Sequence, residues 1–221
     1  MKSRQIIAID GPAGAGKSTI AKIVAKKLGY TYIDTGAMYR AITWQVMANR
    51  IGFKDRDKIV ELTKKTEINF KRTDDRLKIF IDGRDVTEDI RSSDVTQKTN
   101  IIASIPGVRD ILRTKQRQMG KNGGIVMEGR DIGTYVFPDA EKKFYLDAKP
   151  RERALRRWKE LQAKGRNVSL KDITRAIYRR DFCDKHRGIS PLKQAPDAIV
   201  IDSTSLTLGQ VARKIIDEFL K

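Results

Sequence analysis

The chain has 221 residues, 39% of them apolar, enough for one sizeable domain with excursions, and no run nears the roughly 18 consecutive apolar residues of a membrane span. Cys183 is the only cysteine, which excludes an internal disulfide. A strand entered within a few residues of the start leaves no secretory leader to expect, so the cytosol is the expected compartment. The net charge of +18 calls for anionic partners, either nucleic acid or small anions gathered by a basic cleft. The lysines scatter over the whole chain (Lys26, Lys27, Lys64, Lys65, Lys142, Lys143) and no aromatic-studded basic stretch appears. Small anions are therefore favoured, and neither nucleic acid nor a membrane is expected as a partner.

Ile6, Ile7, Ala8 and Ile9 form a short apolar run that reads as a buried strand. It leads into Gly11-Pro12-Ala13-Gly14-Ala15-Gly16-Lys17-Ser18-Thr19, which fits G-x-x-x-x-G-K-[ST], the phosphate-binding loop. Ile20, Ile23, Val24 and Leu28 then recur at helical spacing, and Gly29 stands where a helix should stop. Strand, glycine loop, helix is the context this motif needs. The glycines let successive N–H groups point into one concavity, and the new helix adds its positive end. Lys17 is expected on the β and γ phosphates of ATP, and the Ser18 hydroxyl on Mg²⁺.

Residues 30–33 read as a second strand ending at Asp34-Thr35-Gly36, and 37–50 as a helix with Met38, Ile42 and Val46 on one face. Trp44 on this helix is read as a packing residue. From about 66 to 90 the period changes to two: Ile68 and Phe70 alternate with polar residues, Thr73-Asp74-Asp75 turns, Leu77, Ile79 and Ile81 alternate again, and Asp82-Gly83 turns once more. This antiparallel meander breaks the surrounding strand–helix pattern and reads as an insertion. Ser93 is the predicted cap of a helix running to about Ala103, and Pro106 opens another with Val108, Ile111 and Leu112 inward. Strands are predicted at 125–127, 143–147 and 198–202, and helices at 151–164, 170–186 and 206–220. Alternating strands and helices give a doubly wound parallel sheet, whose ligands sit at the carboxyl ends of its strands. Asp10, Asp34, Glu128 to Asp131 and Asp147 fall at such ends.

A phosphate loop does not name the acceptor. No Asn/Thr-Lys-x-Asp run reads guanine, since Thr114-Lys115-Gln116-Arg117 lacks the acid. The arginines say more. Arg153, Arg156 and Arg157 share a helix face, as do Arg180, Asp184 and Arg187, while Arg40, Arg109 and Arg130 stand near the mouths of other elements. Guanidinium groups bind phosphate bidentately and keep their charge in a dry site, as phosphoryl transfer requires. His186 is the only histidine, set among basic residues. An alcohol acceptor wants a base, whereas a monophosphate with a second pKa of about 6 is already a nucleophile at neutral pH. Asp131 stays open as a base for an alcohol and is preferred as a hydrogen-bond acceptor for substrate. A kinase of another small acceptor, or a basic nucleic-acid-binding ATPase, remains an alternative.

Four stretches resemble the bacterial cytidylate kinases, a branch of the nucleoside monophosphate kinases: Asp10 to Thr19; Asp34-Thr35-Gly36-Ala37-Met38-Tyr39-Arg40; Gly129-Arg130-Asp131-Ile132-Gly133-Thr134; and Arg180-Asp181 through Asp184 and Arg187 to Ser190-Pro191-Leu192. The resemblance covers essentially the whole chain, the meander included. It implies an α/β fold of three layers, α/β/α, around a five-stranded parallel sheet with the P-loop, an NMP-binding insertion carrying a small antiparallel sheet, and a short helical lid. The core would be 1–34, 106–149 and 169–221, the NMP-binding excursion 35–105 and the lid 150–168. It implies ATP and CMP or dCMP as substrates with Mg²⁺; a monomer is expected. Thr35, Arg40, Asn100, Arg109, Arg130, Asp131, Arg180, Asp184 and Arg187 would line the CMP site, with Arg109, Asn100 and Asp131 toward cytosine and Arg180 and Asp184 toward the sugar. Gly11, Pro12, Ala13, Gly14, Ala15, Gly16, Lys17, Ser18 and Thr19 would hold ATP, with Arg153 stacked on adenine and Arg157 on the transferring phosphoryl. Lys17, Arg130, Asp131, Arg157 and Arg180 would carry catalysis. Asn100 departs from the serine usual in that family, Glu128 is not assigned to metal, and Gly165 is the expected lid hinge.

Overall fold

The computed structural model describes residues 5–73 and 76–221. In chain order it forms β1 (Ile6–Asp10), α1 (Lys17–Leu28), β2 (Thr31–Asp34), α2 (Thr35–Ala48), α3 (Arg56–Lys65), β3 (Ile68–Thr73), β4 (Arg76–Ile81) and β5 (Arg84–Asp85). There follow α4 (Ser93–Ala103), α5 (Pro106–Met119), β6 (Ile125–Gly129), a π-helical turn at Ile132–Val136, β7 (Lys142–Asp147), α6 (Pro150–Ala163), α7 (Leu170–His186), β8 (Ile199–Asp202) and α8 (Leu208–Leu220).

The larger sheet has five strands in the order β2-β6-β1-β7-β8. β1 is parallel to β6 (Asp10 opposite Gly129) and to β7 (Asp10 opposite Tyr145), and β7 is parallel to β8. Burial of Ile7, Ala8, Ile9 and of all of β6 follows from strands covered on both faces by helices. β1 is flanked on one side by β6 and on the other by β7, so the loop after it lies where strand order reverses. α1 buries Ile20, Ala21, Val24 and Ala25 and ends at Gly29, whose left-handed φ of 67° satisfies the last turn.

Chain contacts divide the molecule into one unit ending at Tyr32 and resuming at Asn122, and a second spanning Ile33–Lys121. The second is wider than the expected excursion of 35–105. The reason is α5: Val108 and Leu112 are fully buried with Met38, Ile42, Ile59, Ile90 and Ile102 in one apolar cluster. Full burial of a side chain such as Ile42 contributes about 1.5–3 kcal/mol. The meander is present as a three-stranded sheet, β3-β4-β5, with Ile68 opposite Ile81 and Phe70 opposite Ile79. Ile68, Ile79 and Ile81 face the cluster, the period-two signal the sequence carries. Asp74 and Asp75 of the predicted first turn lie outside the described residues.

Three local predictions shift. α2 begins at Thr35 rather than 37, because the Asp34 carboxylate accepts the Ala37 N–H at 2.9 Å. α4 is capped by Ser92, whose Oγ accepts the Val95 N–H, and not by Ser93. α3 is a helix with no counterpart in the sequence reading, held by fully buried Ile59.

Candidate active site

The donor loop leaves β1 at Gly11, with φ +147°, where an added Cβ would stand 2.0 Å from the Leu146 carbonyl oxygen. At Gly14, φ +78°, the backbone of Arg153 lies 3.0 Å from the corresponding position. No side chain caps α1 and no acid occupies its first turn, which leaves its leading N–H groups for an anion. Ser18 and Thr19 are exposed there. Lys17 is buried, and its Nζ donates to the Pro12 carbonyl at 2.7 Å. Burial pushes its pKa down to about 7; the Arg130 and Arg180 charges act in the same direction, against Glu128 and Asp184. Those four groups are therefore Lys17's electrostatic neighbours.

Beyond the end of β6 and along α7 the predicted acceptor residues meet. Arg130 Nε donates to Asp184 Oδ2 at 2.8 Å. Arg187 stands 3.7 Å from the other Asp184 oxygen and 3.8 Å from Asp131 Oδ1. Burial alone would raise the Asp184 pKa, yet Arg130, Arg180 and Arg187 hold it below its ordinary value, and Asp184 in turn raises that of Arg130 against burial. Arg130, Asp131, Arg180, Asp184 and Arg187 are thus one charge cluster in the first unit, and Lys17 senses three of its members.

The arginines of α6 behave differently from expectation. Arg153 does not offer a face to adenine: it is 3% exposed, with Nε on the Ala148 carbonyl (2.8 Å), Nη1 on Ala13 (2.9 Å) and Nη2 on Asp181 (2.7 Å). Arg156 is spent on Ser203 and the Thr204 carbonyl. The shared helix face was real, but loop carbonyls with no ladder partner claim these donors. Arg157 is half-exposed and pairs with Glu160 one turn on, at 2.7 Å. Gly165 has φ +71°, and nothing lies within 4 Å of where a Cβ on it would stand.

In the second unit, Asp34 also accepts from Arg40 at 2.9 Å, so the cap of α2 aims that guanidinium. Thr35 is buried beside it. Arg109 is 2% exposed, its charge set 5.3 Å over the Tyr39 ring and its Nη1 on the Ala103 carbonyl. Asn100 is exposed on α4. Trp44 packs on the apolar cluster under Arg84.

A family model for cytidylate kinase matches residues 7–221. Proteins named cytidylate kinase from Bacillus subtilis and Bacillus pumilus are 48% and 49% identical to the chain over 217 residues, covering 98% of it and 97% and 96% of theirs. The chain belongs to the cytidylate kinase family. At the level of fold alone, it is like a solved gluconokinase from Sinorhizobium meliloti, with a TM-score of 0.50, 12% identity, and coverage of 100% of this chain and 94% of that one. His186 is exposed, stacked on Phe182 with centroids 4.2 Å apart, and its Nδ1 faces the Phe182 carbonyl.

Sequence reasoning missed several residues behind the site. Asp10 is buried and accepts the N–H groups of Ile132 (2.9 Å) and Gly133 (2.7 Å). Glu128 is buried and accepts the Tyr32 hydroxyl at 2.8 Å. Asp181 is the buried partner of Arg153, and Lys143, also buried, donates to Asp197 at 2.6 Å and to the Pro138 carbonyl. Asp10 and Glu128 were visible as acids at strand ends; their partners were not, because each lies more than ninety residues away.

Proposed function

We propose that this chain transfers the γ-phosphoryl group of ATP to CMP and dCMP, releasing ADP with CDP or dCDP. The observation that carries the reading is the cluster of Arg130, Asp131, Arg180, Asp184 and Arg187, electrostatically joined to the donor-loop Lys17. An oxygen of the CMP phosphate attacks the γ phosphorus while the bond to the bridging oxygen breaks, and that electron pair leaves with ADP. No proton needs removal, since a phosphate monoester is largely a dianion at neutral pH.

Lys17 shifts from Pro12 to the donor phosphates, and charge spread over the equatorial oxygens falls to it with Arg130 and Arg180. Arg157 adds to this after leaving Glu160, an exposed pair worth about 0.2–1 kcal/mol and easily exchanged for a phosphate. Asp131 accepts from the exocyclic amine of cytosine, a donor uracil lacks. Asp184 and Arg180 take the sugar. Thr35, Arg40, Asn100 and Arg109 are CMP-binding by the family pattern, with Arg40 already aimed by Asp34. Asn100 keeps both a donor and an acceptor for the base.

The donor set also fits magnesium. Among the described residues no group of three His, Cys, Asp or Glu could hold a metal ion. The hydroxyl of Ser18, exposed at the head of α1, would hold the ion, with phosphate oxygens and water as its other ligands. Bound there, magnesium would neutralise the developing charge on the phosphates.

Coupled ADP release with CMP, dCMP, UMP and AMP tests the reading. Preference for the two cytosine nucleotides is expected, and equal turnover of UMP or AMP overturns it.

A further inference from the structure

We infer that Asp10 is a positioning residue, whose carboxylate fixes the Gly129-to-Thr134 segment and so aims Arg130 and Asp131 at the acceptor. The inference rests on the function proposed above and concerns a residue that reading leaves without a task.

β6 ends at Gly129, and the chain must then turn sharply so that Arg130 and Asp131 follow the strand end while Ile132 starts a π-helical turn. The first N–H groups of any helical turn have no partner within it. Here those of Ile132 and Gly133 are buried, where an unpaired donor costs the full desolvation of the group. Asp10 meets both, one with each oxygen, at 2.9 and 2.7 Å. It can do so because the β1–β6 register sets Asp10 opposite Gly129, just short of the turn.

The fit is tight from the other side. A Cβ on Gly133 would stand 3.2 and 3.3 Å from the Lys143 side chain and 3.5 Å from Asp10 Oδ2. Glycine at 133 and a short acid at 10 are thus matched. A buried carboxylate is expensive to keep, and among the described residues its hydrogen bonds come from these two backbone donors. Asp10 also immediately precedes Gly11. A shift of the acceptor segment therefore passes to the first residue of the donor loop, and one side chain keeps the two halves of the reaction in register.

The test compares the whole enzyme with Asp10→Asn and Gly133→Ala. Asn can accept only one of the two N–H groups and presents its own amide to the other. Asp10→Asn is expected to lose about 10- to 100-fold in kcat/KM for CMP, the size of one unsatisfied buried donor, and Gly133→Ala to lose activity by crowding the same turn. The CMP-to-UMP ratio should fall at least about threefold, because Asp131 is misaimed. Amide exchange at Ile132 and Gly133 should speed up in Asp10→Asn, a readout independent of substrate. A role limited to holding the fold would lower the melting temperature and both substrates' kcat/KM alike, leaving the ratio unchanged. Unchanged discrimination in folded Asp10→Asn, or unchanged exchange at both amides, overturns the inference. If the wild-type enzyme itself shows no preference for CMP, the proposed function fails instead, and the exchange result still decides whether Asp10 holds the turn.

Discussion

Replacing Arg153 by Met probes the interior connection between α6, α7 and the donor loop. The guanidinium is almost wholly buried and makes three contacts: Asp181, Ala13 O and Ala148 O. Methionine matches much of its volume but leaves a buried carboxylate without a cation. One Asp181 oxygen has no hydrogen-bond partner among the described residues, so the loss falls on a group with little in reserve. Removing one member of a buried ion pair costs about 3–5 kcal/mol, whereas replacing both by apolar groups is close to neutral. Arg153→Met is therefore expected to lower stability by about 3–5 kcal/mol, and Arg153→Met with Asp181→Leu by much less, a coupling of about 2 kcal/mol or more. Urea denaturation of the wild type, both single variants and the double variant measures it. A cost below about 1 kcal/mol for Arg153→Met, or additive singles, would refute a buried, mutually dependent pair. Because Ala13 belongs to the donor loop, the single variant should also raise the KM for ATP more than that for CMP.

Gly11→Ala should be worse than an ordinary loop change. Its φ of +147° costs an L-residue about 1–3 kcal/mol, and the Leu146 oxygen 2.0 Å away forces the loop to move; loss of ATP binding by calorimetry checks it. Asp131→Ala should reduce kcat/KM more for CMP than for UMP, since only cytosine loses a bond; equal losses in steady-state assays would count against the assigned role. Asp10 supplies a pH signature. Burial raises its pKa to about 7, so between about pH 4 and 7 the folded form holds more proton than the unfolded form and its contribution to stability falls as pH rises. Asp10→Asn removes that contribution, and the gap between its urea midpoint and that of the wild type should change across this window.

How much of this was legible follows from how local each signal is. The strand–loop–helix at 6–28, the period-two meander and the helix at 170–186 depend on neighbours within a few residues, and they stand where the pattern put them. Asp34 illustrates the limit. It was visible as a strand-end acid, but its work as the cap of α2 and the anchor of Arg40 moved the helix start by two residues. Arg153 shows the stronger failure. Spacing on a helix says which residues share a face, not which carbonyls lie opposite, and Ala13 is 140 residues away in sequence. α3 was missed because most of its ten residues are charged or polar; its inner face is Ile59 and Thr63, both fully buried, with Val60 and Leu62 packed on the apolar cluster.

The missing base follows from where the acids went. A kinase of an alcohol needs a proton acceptor within hydrogen-bond reach of the hydroxyl. Asp10 is committed to two backbone N–H groups, Glu128 to the Tyr32 hydroxyl, Asp181 to Arg153 and Asp184 to Arg130. His186 faces a carbonyl of its own helix on an exposed surface. Asp131 stands 3.8 Å from the Arg187 guanidinium. Asp10, Glu128, Asp181 and Asp184 are thus tied to holding backbone, a tyrosine or an arginine in place, as Asp34 is to the start of α2 and Arg40. A site arranged this way can speed the reaction of a nucleophile that arrives ionised, and the phosphate of a nucleotide does so where a sugar or cyclitol hydroxyl does not.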